Sequence, residues 1–600
     1  MQTSIYPLAF HSALLKGAYR VEKKRDELNR INGFPVPDRD TGNNLAYLMQ
    51  QLRRQLPTPQ SFDELLKRLS EASLIDARGN SGAIFSQYFS GFREAAMGLK
   101  ESIRESLPLH GLAAMFKEGY ASAYRSIQQP REGTILSAMR SFSEAFQKLL
   151  SQGGDLKRAA EAALIQLKST VQESINILPQ QRALHAPDAG AMAFLYFAEG
   201  FMHSLLGQAE GEEETDEALF FELPAMEAGS HAELEDTRFR YCTEVMLKTR
   251  DGAAISEGMK AKLTALGDSM VISQAGNLVR VHLHTNAPAQ AVDLLESLGT
   301  LSEVRADDMH MQQALTRSHK GKNALVIDSI ADVPEEMMGP DVYMLPLHML
   351  AESVSYQDKR TISFDRVKSL SGKLSSSQLN LEEIKQFLDP IVESYDQVLV
   401  LTVSSRMSGL YDRYKEYLAQ NAQSKVRLVD SRVNSVAEGL LALFASRRLQ
   451  EGAGLDELAD ELESIRARTK IYVSLPNLKA MVASGRLNKN VGKVLQAIGF
   501  LPLVTINHEG EGTVKGLSFS RKRSDKLLLD KLEAGKVKEY AVVHVNDPQR
   551  AEAAAKTIRQ KIGMPPRYIC EISSVVANFS GDTSYAVAYI ENETQRGGAA

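Results

Sequence analysis

The 600-residue chain is too long for one hydrophobic core, and domains of about 100–200 residues predict roughly three to five units. With 43% hydrophobic residues, 24% charged residues and a net charge of −5, it has the composition of a globular protein and lacks the basic excess of a broad nucleic-acid-binding surface. Two cysteines, Cys242 and Cys570, exclude a disulfide framework; with no long apolar run and no leader-like start, the expectation is a cytoplasmic protein without stable membrane insertion.

Residues 1–207 read as all-α, because Phe62 to Ala72, Leu109 to Ile127 and Leu156 to Ile177 repeat their apolar residues at three-and-four spacing. Ahead of one such run (Leu45, Leu48, Met49, Leu52) stands Phe34-Pro35-Val36-Pro37-Asp38-Arg39-Asp40-Thr41-Gly42-Asn43-Asn44. Two carboxylates one residue apart, after prolines that stiffen the loop, suit a Mg²⁺ ion that takes few protein ligands and completes its shell on phosphates. The other reading of Asp40 and Thr41 is an ordinary helix cap. Three more small or Gly-rich loops feed helices and offer N–H groups to phosphate: Asp76 to Gly82 with Asn80 and Ser81, Pro130 to Thr134 with Gly133, and Ala186 to Gly190 with Asp188.

Residues 208–238 are rich in Glu and read as a solvated linker. Residues 239–318 predict a small α+β domain, with strands over Tyr241–Lys248, Met270–Ser273 and Leu278–His284 and a helix over Ala289–Leu298. Period two puts His282 and His284 on one strand face, and Cys242 opens another strand, so the three are candidate Zn²⁺ ligands with His310 or Glu244 as a fourth. The alternative is two surface histidines and a buried thiol. From 320 to 595 short apolar strands alternate with helices, which predicts an α/β domain with a largely parallel sheet and a crevice at its strand ends, where Asp328-Ser329, Ser404-Ser405 and Asp430-Ser431 stand.

Three resemblances follow from these residues. The helical part resembles the DhaL-type kinase domain of dihydroxyacetone kinases, and is closer to the large subunit of bacterial fatty acid kinase, through Asn32 to Gly42, Arg78 to Gly82, Glu132-Gly133-Thr134 and Asp188-Ala189-Gly190. That resemblance implies an all-α barrel, Mg²⁺ on Asp38 and Asp40, ATP contacts from Thr41, Asn44, Asn80, Ser81, Gly82, Gly133, Thr134 and Asp188, and a homodimer. Arg39 and Ala191 stand where the family usually has glycine.

The middle part resembles the same kinase's linker domain through Tyr241 to Glu244, Leu266 to Ser269 and Val281 to Asn286, which implies zinc on Cys242, His282 and His284. The last part is similar to DegV-family fatty-acid-binding proteins through Asp328-Ser329, Ser376-Ser377-Gln378, Ser404 to Tyr411 and Ser484 to Leu487. It implies an acyl ligand held by the hydroxyls of Ser376, Ser377, Ser404 and Ser405, although Phe579 stands where the family commonly has a histidine.

Joined, the resemblances imply a kinase that makes an acyl phosphate from a fatty acid for a downstream acyltransferase. The alternatives are a lipid-binding or regulatory protein with a weak or silent kinase domain, and a kinase for a small hydroxy-ketone or other small substrate.

Overall fold

The computed structural model describes residues 4–33, 40–99, 105–208, 238–250, 252–316, 321–370, 372–421, 425–477, 481–482 and 501–593. Asp38, Arg39, most of the acidic stretch and Ser484 to Leu487 lie outside the described residues. The chain divides into two compact units at residue 318.

Unit 1 begins with a short strand pair, β1 (Ser4–Ile5) and β2 (Leu107–Pro108), and a set of helices: α1 (Pro7–Lys23), α2 (Arg25–Ile31), α3 (Thr41–Gln55), α4 (Phe62–Asp76), α5 (Gly79–Leu99), α6 (Leu109–Ser126), α7 (Ile135–Ser151), α8 (Leu156–Ile177), α9 (Pro179–Leu184) and α10 (Ala189–Leu205). The sequence AGAMAFLYFAEGFMHSL of α10 is apolar on all sides, and such a helix is stable only when surrounded. It is buried almost throughout, and Phe194, Phe197 and Phe201 meet Phe85, Phe89, Phe116 and Phe142 in edge-to-face contacts, with Phe92 packed edge-to-face on Phe116. Its single carboxylate, Glu199, is neutralised by Arg20 and Lys168, each at 2.9 Å.

The rest of unit 1 is an antiparallel sheet of order β4-β5-β3-β6, formed by β3 (Tyr241–Thr249), β4 (Gly267–Ala275), β5 (Leu278–Thr285) and β6 (Gly299–Asp308), with α11 (Glu257–Leu266), α12 (Pro288–Glu296) and α13 (Met309–Thr316). The sheet is bonded to the helical layer: Ser273 Oγ donates to the Ala83 carbonyl, Gln274 N to Gln87 Oε1, and Gln128 N to the Met270 carbonyl. Arg280, 2% exposed, donates from Nε to the Leu74 carbonyl and from Nη2 to the Ile75 carbonyl, where the C-terminal end of α4 favours a cation.

Among the described residues unit 2 holds three sheets. β7 (Gly321–Asp328), β8 (Val342–Leu345), β12 (Tyr395–Thr402) and β13 (Val426–Asp430) form a parallel sheet of order β13-β12-β7-β8. β9 (His348–Ala351), β10 (Val354–Gln357) and β11 (Leu374–Ser377) form a small antiparallel one.

The third sheet comprises β14 (Thr469–Ser474), β15 (Leu501–Ile506), β16 (Gly512–Ser518), β17 (Val537–His544), β18 (Ile569–Glu571) and β19 (Tyr585–Glu591), in the order β16-β15-β14-β19-β17-β18. It is antiparallel except for β17 beside β18. The largely parallel sheet expected from sequence holds for β13-β12-β7-β8 and is corrected for the strands of the third sheet. β14 and β17 are separated by β19, which pairs antiparallel with both, and a short apolar run reads the same in either kind of sheet.

The helices described in the unit include α14 (Phe364–Ser369), α15 (Leu381–Ser394), α16 (Leu410–Asn421), α17 (Ser435–Gln450), α18 (Leu455–Arg468), α19 (Arg521–Leu529), α20 (Pro548–Ile562) and α21 (Ser574–Ser580). Among the described residues no helix is long and apolar enough to cross a membrane.

Candidate functional site

α3 starts so close to α2 that a Cβ on Gly42 would lie 2.1 Å from the Arg25 carbonyl oxygen. Asn29 fixes the approach by donating to Asn43 Oδ1 and accepting from Asn43 N, both at 3.0 Å. Asp40 occupies the cap position, yet its side chain makes no capping bond to α3. The carboxylate thus does not do the work that the helix-cap reading gave it. Opposite, Gly79 starts α5 with φ +63°, a backbone that glycine adopts without strain, and its N–H donates to Glu244 Oε1 at 2.7 Å. Asp40, Thr41 and Asn44 from α3, and Gly79, Asn80 and Ser81 from α5, line one small cleft.

The other wall of that cleft comes from the sheet: Cys242, His282, His284, Asp307, Met309 and Gln312. β3 and β5 pair Cys242 with His284 and Glu244 with His282, and the two imidazole centroids are 5.1 Å apart. Ligand atoms of Cys242, His282 and His284 lie within 4.8 Å of one another. Burial, with His282 alongside, pushes the His284 imidazolium down to about 3, so the ring is neutral as a metal ligand must be. His282 Nε2 is buried with no hydrogen-bond partner among the described residues, an orphan that a metal would satisfy.

The donor set suits Zn²⁺. Neither suggested fourth ligand joins the group: His310 is exposed, and the Glu244 carboxylate is already shared among Gly79 N, Arg280 and His282. Burial alone would raise the Glu244 pKa, but His282 and Arg280 outweigh it and hold it at about 2.

Next to the cleft, sharing Asn80, Ser81 and His284 with it, is a cavity of about 340 Å³. Arg131, Thr134, Ile135, Leu136 and Asp188 line it from the helices. Phe239, Asp268, Ser269 and Met270 line it from the sheet. Sequence reading missed that second wall. The structure shows why: β4 bulges between Asp268 and Val271, and Ser269 takes φ +54°, the kind of local strain that gathers at ligand sites.

Gly82 and Gly133 do not line either space. Gly133, at φ +79°, instead shapes the loop whose Thr134 caps α7. Asp188 caps α10 through Ala191 N at 2.8 Å, and burial pushes its carboxyl up to about 6 despite that bond and those from Ile135 and Gly190. Ala191, where the family resemblance leads one to expect glycine, is 1% exposed and packs into the core without closing the cavity.

Unit 2 holds a separate cavity of about 400 Å³. Its apolar lining includes Leu475, Val504, Ile572, Val575, Val576 and Phe579, and its polar lining includes Ser376, Ser377 and Gln378. Ser404 and Ser405, expected at the head group, do not line it and are corrected here. Ser404 is fully buried, donates to the Gly510 carbonyl at 2.8 Å and accepts from Arg406 N, while Ser405 donates to Asp430 Oδ2 at 2.6 Å.

The other motif residues at the strand ends also serve the scaffold. Asp328 accepts Ile330 N and Val403 N, Ser329 donates to Asp358, and Ser431 donates to the Val433 carbonyl. Burial pushes Asp328 and Asp332 each up to about 6.

Three family models match the chain in succession: a DAK2 domain over residues 35–203, the middle domain of FakA-like fatty acid kinase over 238–316, and the uncharacterised DegV family over 322–592. An uncharacterized protein of Staphylococcus saprophyticus is 24% identical over 93% of this chain and 97% of its own length. An uncharacterized protein of Staphylococcus haemolyticus is 28% identical over 50% of this chain, and the match spans 55% of that protein. Protein YloV of Bacillus subtilis is 28% identical over 52% of this chain and 57% of its own.

Among solved structures, a fatty acid binding DegV family protein from Streptococcus agalactiae is 20% identical, covering 45% of this chain and 99% of its own, with a TM-score of 0.41. The Streptococcus pneumoniae fatty acid kinase B3 protein loaded with linoleic acid is 15% identical, covering 45% and 100%, also with a TM-score of 0.41. On its three consecutive family matches the chain joins a DAK2 domain, a FakA-like middle domain and a DegV-family domain, a fatty acid kinase-like architecture.

Proposed function

We propose that the protein phosphorylates a fatty acid carboxylate with ATP to give an acyl phosphate. The observation that carries this reading is the convergence of Asp40, Thr41, Asn44, Asn80 and Ser81 on one cleft beside a 340 Å³ cavity, in a chain whose middle and last parts match a fatty acid kinase domain and DegV.

A carboxylate is ionised at neutral pH and needs no general base, so positioning and charge stabilisation do most of the work. A carboxylate oxygen bonds to the γ-phosphorus as the bond from that phosphorus to the β,γ-bridging oxygen breaks, and ADP leaves with that oxygen. Backbone N–H groups opening α3 and α5, with Thr41, Asn80 and Ser81, orient the phosphates, and Asn44 closes the cleft beside Gly79. Asp40, with Asp38, would hold Mg²⁺, which when bound supplies neutralising charge to the phosphates. Cys242, His282 and His284 would hold Zn²⁺, whose role here is to fix the sheet wall of the cleft. The fatty acid is carried by the DegV-like unit, and the acyl phosphate passes to an acyltransferase.

Purified protein incubated with ATP, Mg²⁺, oleate and hydroxylamine should accumulate the fatty hydroxamate. Its absence, where an authentic fatty acid kinase gives product under the same conditions, would sink the reading. Elemental analysis should find about one Zn²⁺ per chain, falling to none in Cys242→Ala.

A further inference from the structure

Among the described residues, the charge on the wall of the unit 2 cavity has one sign. Among its described lining residues the charged side chains are Arg406 and Arg413, with no carboxylate and no histidine. Both belong to the loop and first turn that run from Arg406 through Ser408 into α16. Against this segment lies the one that carries Ser376, Ser377 and Gln378: a Cβ on Gly409 would meet Gln378 Nε2 at 2.2 Å, so the absence of a side chain there lets the two segments close together.

All of the described cationic lining therefore comes from one of two touching segments, which also supply Ser376, Ser377, Gln378 and Ser408, while Asn434, Ser435, Thr505 and Ser580 add polar groups from other elements. Much of the apolar lining comes from elsewhere: Leu475, Val504, Ile572, Val575 and Phe579. Arg406 is exposed and makes no side-chain ion pair among the described residues, and Arg413 is paired with Glu416 at 2.8 Å, a carboxylate that does not line the cavity.

We infer that Arg406 and Arg413 are the specificity determinants of this cavity, selecting a long-chain amphiphile with an anionic head, and that they take the place of the Ser404 and Ser405 hydroxyls. This rests on the lipid-carrying reading of unit 2 and adds to it the group that recognises the head. An apolar chain buried beside an exposed cation keeps its charge in water while its tail is removed from it. Guanidinium groups bind carboxylate and phosphate alike through forked donors, so a fatty acid and an alkyl phosphate share this recognition while an alcohol of equal length does not.

The test is calorimetric titration of the full chain with myristate, tetradecyl phosphate and tetradecanol. The parent should bind both anions at least about 10-fold tighter than the alcohol, and that margin should shrink as NaCl rises from about 50 to about 500 mM. Arg406→Ala/Arg413→Ala should erase the margin while leaving the alcohol's affinity unchanged, and Arg406→Lys/Arg413→Lys should restore part of it. A margin that survives both the double alanine variant and high salt overturns the assignment. So does an equal loss for acid and alcohol, which would make the arginines packing elements. Failure of the parent to bind either acid or alcohol is a different result, because it removes the lipid reading itself.

Discussion

In unit 1 the short polar residues that open α3 and α5 face a cleft, whereas in unit 2 the serines of a comparable strand-to-helix loop turn into the protein. Asp40 sits at a cap position without capping, and Asn80 and Ser81 line two adjoining spaces. Ser404 and Ser405 instead hold Gly510 and Asp430, and the cavity beside them is lined by Arg406, Arg413 and the 376–378 segment among others. A hydroxyl in a loop can bind a ligand or build the loop, and its neighbours decide which. In unit 1 the walls come from two layers that leave donors between them. In unit 2 the β-strand ends are stitched by their own hydroxyls and buried acids.

The two-layer construction gives the largest expected effect. Arg280 is the buried cation that joins the sheet to α4, and it also meets Glu244 at 3.2 Å and Glu303 at 2.8 Å. Removing one partner of a buried pair leaves the other uncompensated, so Arg280→Met should cost unit 1 about 3–5 kcal/mol. In scanning calorimetry the transition that a fatty acid raises, that of unit 2, should stay in place while the other drops. A variant that lowers neither transition would mean that Arg280 does not tie the layers.

Asp40→Ala should cut the rate of hydroxamate formation about 10²–10³-fold, the scale for losing a group that organises transition-state charge. Myristate affinity should not change, because unit 2 supplies that site. If turnover persists, Asp40 is a surface acid of the cleft and the contrast with Ser404 collapses.

Asp188 offers a pH test of the cavity beside that cleft. Burial is the chief cause that raises its carboxyl from 3.8 to about 6, a difference worth up to about 3 kcal/mol. Because the folded pKa is raised, the native state binds the proton more tightly than the unfolded chain. Its contribution is present in full below pH 3.8 and is lost as pH climbs to about 6. Asp188→Asn lacks this term, so its stability relative to the parent should rise between about pH 4 and about pH 6.5 and then level off. A difference that does not change with pH would show that Asp188 is ionised throughout.

Much of this was legible in the sequence, for reasons that differ by element. The helices of unit 1 were readable because α4, α6 and α8 each carry an amphipathic stripe, and the Cys242, His282 and His284 cluster because period two fixes which face a strand residue takes. The sheet wall of the cavity was not readable. Ser269 and Met270 face it through a bulge, and a bulge breaks the alternation that sequence reading relies on. Likewise nothing local distinguishes β14 and β17 from parallel strands, since their partner β19 is the last of the described strands. The arginines of the unit 2 cavity were passed over because the serines beside them matched an expected motif, and a motif does not say which way a hydroxyl turns.

The smallest expected effect cuts between those two uses of serine. Ser404→Ala leaves the Gly510 carbonyl and the Arg406 N–H without their partner in a fully buried position, which should cost about 1–3 kcal/mol. Gly510 has φ +92°, and a Cβ there would lie 2.3 Å from Ser404 Oγ, so the contact is close and specific to this pair. Myristate affinity in Ser404→Ala should match the parent's at a temperature well below unfolding. Ser376→Ala, on the cavity wall, should do the reverse, weakening myristate severalfold with little change in melting temperature. If Ser404→Ala weakens myristate as much as Ser376→Ala does, its hydroxyl reaches the ligand after all. The two units would then use their loop residues in the same way.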